Sequence, residues 1–286
     1  YHTLSRDVMK LTAQLAPVGN NSRTAILEIG PEERGTRKVV AEEVIDPLAR
    51  TATFRVPNWD SSRDFYYRIS YRDRFTGYVQ RYDGIIPADP VNKQELVVAA
   101  FTGNNDFGFP HADIVRNVSF HKPDLLVYTG DQIYERTGSY SVLRGDEFRL
   151  AALDYLRRWY MWGWEYDELI RRMPSVCLPD DHDVFQGNIW GAGGRAAYKE
   201  GMTYSQAQDA GGYSMPPVWV NMIQRTQTAH MPDPWDPTPV EQGISVYYCE
   251  MLYGGVSFAI IEDRKFKSSP QKTVPAGEIV NGWPGN

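Results

Sequence analysis

The 286-residue chain is 42% hydrophobic and 23% charged, with a net charge of −6 at pH 7. That composition excludes a disordered chain, and the acidic balance excludes the global basic field that recruits nucleic acid. No apolar run approaches the roughly 20 residues that a membrane-crossing helix requires.

The chain opens at Tyr1 and not at Met, so it reads as a piece of a longer polypeptide whose native N-terminus is missing. From about Thr24 to Tyr82, short β-rich runs alternate with turn residues. TAILEI, KVVAEEV, TATFRV, DFYYRISYRD and GYVQRYDGII are the predicted strands, and ATFRVP and FYYRISY show period-two alternation. These predict a small all-β sandwich, immunoglobulin- or fibronectin-like, over residues 1–90. It ends at the proline-interrupted linker Ile86-Pro87-Ala88-Asp89-Pro90.

Residues 91–286 read differently. ELVVAAFT (95–102) is a continuous apolar strand, followed by a Gly/Asn/Pro loop and a short helix from about Ala112 to Phe120. DLLVYT (124–129) is a second buried strand. A helix is predicted over 149–173, where Leu150, Leu153, Leu156, Tyr160 and Trp164 recur three or four residues apart; Pro174 ends it. SVCL (175–178) is a third buried strand. Strand–helix alternation with near-continuous apolar strands predicts an α/β layered fold with a mainly parallel sheet. Residues 186–242 are rich in Gly, Pro, Trp and Asn and read as one long irregular connection. SVYYCEM and VSFAIIED then form a strand–turn–strand pair. Cys177 and Cys249 lie in apolar runs as buried free thiols, with a disulfide between them left open.

Two acidic clusters follow buried strands: Gly130-Asp131 after DLLVYT, and Asp180-Asp181-His182-Asp183 after SVCL. Ligand sites in open α/β sheets form beyond the carboxyl ends of strands, so both clusters project into one crevice if their strands are neighbours. Alone, the first reads as a turn, and the second is as readily a helix cap as a site. Together, four carboxylates and an imidazole would repel without a cation, and hard oxygen donors with a His suit Ca, Mn, Fe or Zn. A metal also gives an acidic protein the positive charge it needs to bind a phosphate ester.

KPDLLVYTGDQIYE and PDDHDVFQGN resemble the second and third motifs of calcineurin-like metallophosphoesterases, in the form of the alkaline phosphatase D branch. IIEDRKF is similar to a later strand of that branch. The resemblance implies a metallophosphatase layered fold after a β-sandwich, a secreted or periplasmic protein, two metal ions and a small phosphate-ester substrate. It makes Asp131 the bridging metal carboxylate and Asp181 a further ligand, with Tyr134 beside the metals. It makes His182 the residue that stabilises charge at the leaving group, and Asn188 a contact to metal or phosphate. Arg195, in the glycine-rich run after that motif, is a candidate phosphate contact. Arg264 beside Asp263 reads first as a structural ion pair and second as another phosphate contact.

The chain departs from the family pattern twice. After the first strand the expected ligand position is Gly103, which has no side-chain donor, leaving Asn105 or Asp106 as substitutes; Asn105 is taken as the metal ligand. The family's C-terminal histidines are missing, since only His230 follows His182, and the chain reads as truncated. These departures keep open a non-catalytic binding protein on the same fold, or a hydrolase of another ester such as a sulfate or lipid headgroup. His111 and His121 read as capping or solvent-facing residues, and Trp159, Trp162 and Trp164 as packing.

Overall fold

The structure, a computed structural model, describes residues 1–16, 23–105, 108–135, 148–185, 200–203, 206, 213 and 215–267, together with the backbone of a short strand pair near the end of the chain. Seven strands lead: β1 (His2–Ser5), β2 (Val8–Gln14), β3 (Thr24–Gly30), β4 (Lys38–Val44), β5 (Thr51–Pro57), β6 (Phe65–Arg72) and β7 (Val79–Ile86). They make two antiparallel sheets, in the orders β1-β2-β5 and β4-β3-β6-β7. Strands β1 and β2 are additions to the sequence reading. Nearly all of β2 is buried, and its second face carries Lys10 and Thr12, so it has no apolar–polar alternation to read. Lys10 Nζ meets Asp233 at 3.1 Å, and the Thr12 and Thr53 hydroxyls share a hydrogen bond at 3.0 Å. Edge strand β4 is exposed along its length, where Lys38, Glu42 and Glu43 discourage further pairing.

Three parallel strands, β8 (Val98–Phe101), β9 (Leu125–Tyr128) and β10 (Ser175–Cys177), form a sheet in the order β10-β9-β8. Leu125 and Val176 join an apolar cluster with Leu4, Leu27, Phe54 and Tyr67 of the N-terminal sheets. Leu126, Tyr128 and Cys177 belong to a second cluster with Tyr155, Trp159, Trp162 and Trp219. Successive residues of a strand face opposite ways, so burial on both sides explains the unbroken apolar runs of β9 and β10, whereas β8 at the sheet edge leaves Val98 and Ala100 exposed. The first cluster takes residues from both sides of position 90, and the core therefore runs across the proline-rich linker.

Helix α1 (Ala112–Phe120) follows the prediction. The single helix expected over 149–173 is two: α2 (Phe148–Glu165) and α3 (Asp167–Ile170). Between them, buried Tyr166 packs edge-on against Phe101 and Tyr128 and donates its hydroxyl to Asn104 Oδ1 at 2.7 Å. Anchoring that side chain on the sheet breaks the helix there. The buried face of α2 also differs from the predicted stripe: it carries Ala151, Ala152, Tyr155, Leu156, Trp159 and Trp162. Leu150, Leu153 and Trp164 are exposed, whereas Trp159 and Trp162 stack at 4.4 Å in the core.

A further helix, α4 (Pro217–Thr228), lies inside the stretch read as irregular. Its proline in the first turn is a recognised helix start, hidden by the surrounding Gly and Pro content. Strands β11 (Tyr248–Tyr253) and β12 (Val256–Ile261) form the expected antiparallel pair, and β13 (Ile279–Val280) pairs with β14 (Trp283–Pro284). Cys177 and Cys249 are buried free thiols. Among the described residues no helix is long and apolar enough to cross a membrane.

Candidate metal centre

Because β9 and β10 are adjacent and parallel, the segments leaving their carboxyl ends meet. The first turns sharply: Gly130 has φ +115° and Asp131 φ +53°. A Cβ at Gly130 would overlap Asp180 Cβ, so the absence of a side chain lets the two acidic segments touch. Gly130→Ala is expected to destabilise the protein by about 2 kcal/mol, through left-handed strain and this overlap together. Thermal denaturation would check it, and an unchanged Tm would show that the segments can separate without loss.

Two side chains hold every backbone N–H from 130 to 133. Asp183, wholly buried, accepts from Asp131 N at 2.9 Å, Gln132 N at 3.1 Å and Ile133 N at 3.3 Å. It also accepts from Asp180 N at 2.8 Å, which ties the second segment to the first. Gln132 Oε1 accepts from Gly130 N at 3.0 Å, and its amide nitrogen donates to Leu178 O at 2.8 Å. Asp183, grouped by sequence with the mutually repelling acids, is the peg on which both segments hang. Burial pushes its pKa up, while its hydrogen-bond donors favour the charged form.

The remaining acids, Asp131, Asp180 and Asp181, bring one oxygen each to within 4.8 Å of one another. Burial raises all three pKa values; Asp180 reaches about 6, with the neighbouring Asp181 charge adding to the rise. Asp181 is 3% exposed, and its Oδ2 has no hydrogen-bond partner. An orphaned buried carboxylate oxygen among converging hard donors fits a cation, and these three residues can hold a metal ion. Asp180 thus joins the two carboxylates predicted as ligands. Arg264 flanks the cluster, with Nε 3.2 Å from Asp180 Oδ1 and Nη2 3.4 Å from Asp181 Oδ1.

His182 begins a single 3-10 turn (His182–Val184). Its Nδ1 lies 2.6 Å from Glu135 Oε2, and Glu135 is fully buried. Burial disfavours the charged ring, but the hydrogen bond and charge of Glu135, with Asp131 and Asp181 beyond, raise its pKa to about 9. The ring leans on Tyr134 at 4.5 Å, and the Tyr134 hydroxyl donates to Asp131 Oδ2 at 3.2 Å. Glu135 closes the GDQIYE run, and the sequence alone assigns it no role. Its place four residues after Asp131 was the available signal.

The segment after β8 also reaches the site. Gly103 has φ +64°, and a Cβ there would come 3.3 Å from the Tyr134 hydroxyl. Asn104 N donates to Asp131 O at 2.8 Å, and Asn105 N to Gly103 O at 2.9 Å. Asp106, Asn188 and Arg195 lie outside the described residues. His230 is a core residue, its Nε2 2.8 Å from Ser175 O and its pKa pushed down by burial. His111 lies 3.3 Å from the Tyr166 hydroxyl, and His121 caps α1.

No family model matches the sequence, and no curated protein matches it. Among solved structures, the chain is similar to a β-glucuronidase from Parabacteroides merdae, at 9% identity and a TM-score of 0.23. That match covers 43% of this chain and 19% of the glucuronidase. It is also similar to apo pullulanase from Klebsiella pneumoniae, at 9% identity and a TM-score of 0.22, covering 45% of this chain and 19% of the pullulanase. Likeness this slight carries no argument about fold or activity.

Proposed function

We propose that this chain is a metal-dependent phosphoesterase of the alkaline phosphatase D type, on a metallophosphatase-like layered fold. The observation behind the reading is the convergence of Asp131, Asp180 and Asp181 beside a His182 ring braced by Glu135. Those three carboxylates would hold one cation, or share in holding two, from among Ca, Fe, Mn and Zn. A bound cation supplies positive charge against the phosphoryl group and lowers the pKa of water. The hydrogen bond and charge of Glu135 favour a protonated His182 ring. Nδ1 is committed to Glu135, so Nε2 is the donor for the departing ester oxygen. Arg264, anchored on Asp180 and Asp181, sets a guanidinium charge at the rim that suits an anionic ester.

A non-catalytic binding protein is the second reading, and Gly103 favours it, because that position offers no side-chain ligand. The test is metal analysis with turnover of bis(p-nitrophenyl) phosphate, before and after EDTA and after reloading each of the four ions. Turnover should vanish on chelation and return with one of the ions. Metal binding without turnover would favour the binding protein, and neither metal nor turnover would sink the enzyme.

A further inference from the structure

A buried amide relay runs from α4 to the metal-site turn. Gln227, on α4 and wholly buried, accepts through Oε1 from Gln132 Nε2 at 2.9 Å. Its own Nε2 donates to the Tyr155 hydroxyl of α2 at 3.3 Å, and that hydroxyl pairs with Thr226 Oγ1 at 2.6 Å. Tyr155 sets Gln227 with its oxygen toward Gln132, and Gln227 joins Leu178 O in setting Gln132 with its nitrogen toward α4. Only in that orientation does Gln132 Oε1 face Gly130 N. A flipped Gln132 amide would aim N–H at N–H, at the residue preceding Asp131.

We infer that Gln227 is a positioning residue of the metal site: it acts through Gln132 to hold the Gly130-Asp131 turn in its left-handed conformation. It touches none of the three carboxylates proposed as ligands, and its amide also bonds Asp183, which holds the same turn. The inference rests on the metal site and not on the reaction catalysed, and its readout is metal affinity alone. Residues one shell out from metal ligands commonly alter affinity by about 10–100-fold.

The experiment is Mn²⁺ titration of the purified chain by calorimetry or electron paramagnetic resonance, for wild type, Gln132→Met, Gln227→Met and the double variant, with circular dichroism confirming the fold. Gln227→Met should weaken Mn²⁺ binding by about tenfold. The double variant should lose no more than Gln132→Met alone, because one relay is broken only once. Unchanged affinity in Gln227→Met, or losses that multiply in the double variant, would overturn the inference. Gln227→Leu, of similar volume and without polar atoms, guards against a misfolded Met variant. It should weaken Mn²⁺ binding by about as much as Gln227→Met, and unchanged affinity in a folded Leu variant would also overturn the inference. Failure of the wild type to bind Mn²⁺ would remove the metal site and this inference together. Mn²⁺ binding with no phosphoester turnover would leave it standing.

Discussion

Asp183→Asn is expected to cost about 3–5 kcal/mol of stability, far more than any other single carboxylate-to-amide change at the site. Each Asp183 oxygen faces two N–H donors: Oδ2 those of Asp131 and Asp180, Oδ1 those of Gln132 and Ile133. Asparagine keeps one oxygen and turns an NH₂ group on the other pair. Two backbone donors are then orphaned in a fully buried place, at about 1–3 kcal/mol each, with donor–donor repulsion added. For a chain of this size the Tm should fall by roughly 10 °C. Asp180→Asn is the control. Asp180 is half-buried and its pKa is already raised, so neutralising it relieves repulsion and should leave Tm level or higher in chelator-treated protein. Equal melting temperatures for the two variants would show that Asp183 contributes no more than Asp180, and that the two segments are held some other way.

That contrast marks what sequence could and could not reveal. Neighbouring acidic clusters at strand ends were legible, because apolar runs and their polar termini fix where a parallel sheet opens. The division of labour within Asp180-Asp181-His182-Asp183 was not. The second half of that run enters a 3-10 turn capped by Asp181, which points Asp181 and Asp183 in different directions, and four adjacent polar letters carry no such orientation. Gln132 and Gln227 gave no signal at all, being polar residues 95 positions apart whose meeting depends on α4 lying against α2. The α4 helix itself was masked by composition. The stripe on α2 was misread because Leu150 and Leu153 are exposed while small Ala151 and Ala152 pack inside. Hydrophobic letters mark the core only on average, and about half of a protein's surface is apolar.

The other large effect is on pH dependence. His182 has a pKa near 9 in the folded protein, against 6.5 unfolded. A group whose folded pKa is raised stabilises fully below its unfolded value and loses that contribution as pH climbs through the folded one. Its contribution is therefore present at pH 6.5 and gone above 9, and it is on the order of 3 kcal/mol. Asp180 has the same sign in a lower window, between its ordinary 3.8 and about 6. Chelator-treated protein should consequently lose Tm steadily from pH 5 to pH 9. Glu135→Gln should flatten the upper window alone. The amide still accepts from Nδ1 but removes the charge that holds the ring protonated, leaving burial to push the pKa down. A cation reverses the lower window, because it binds the carboxylates that protons vacate, so its affinity rises through pH 6. The Tm gap between Mn²⁺-loaded and chelated protein should widen from pH 5 to pH 7. A gap independent of pH would mean that the ion sits on ligands other than Asp131, Asp180 and Asp181. A Glu135→Gln profile parallel to wild type would mean that His182 owes its proton to the acidic cluster and not to Glu135.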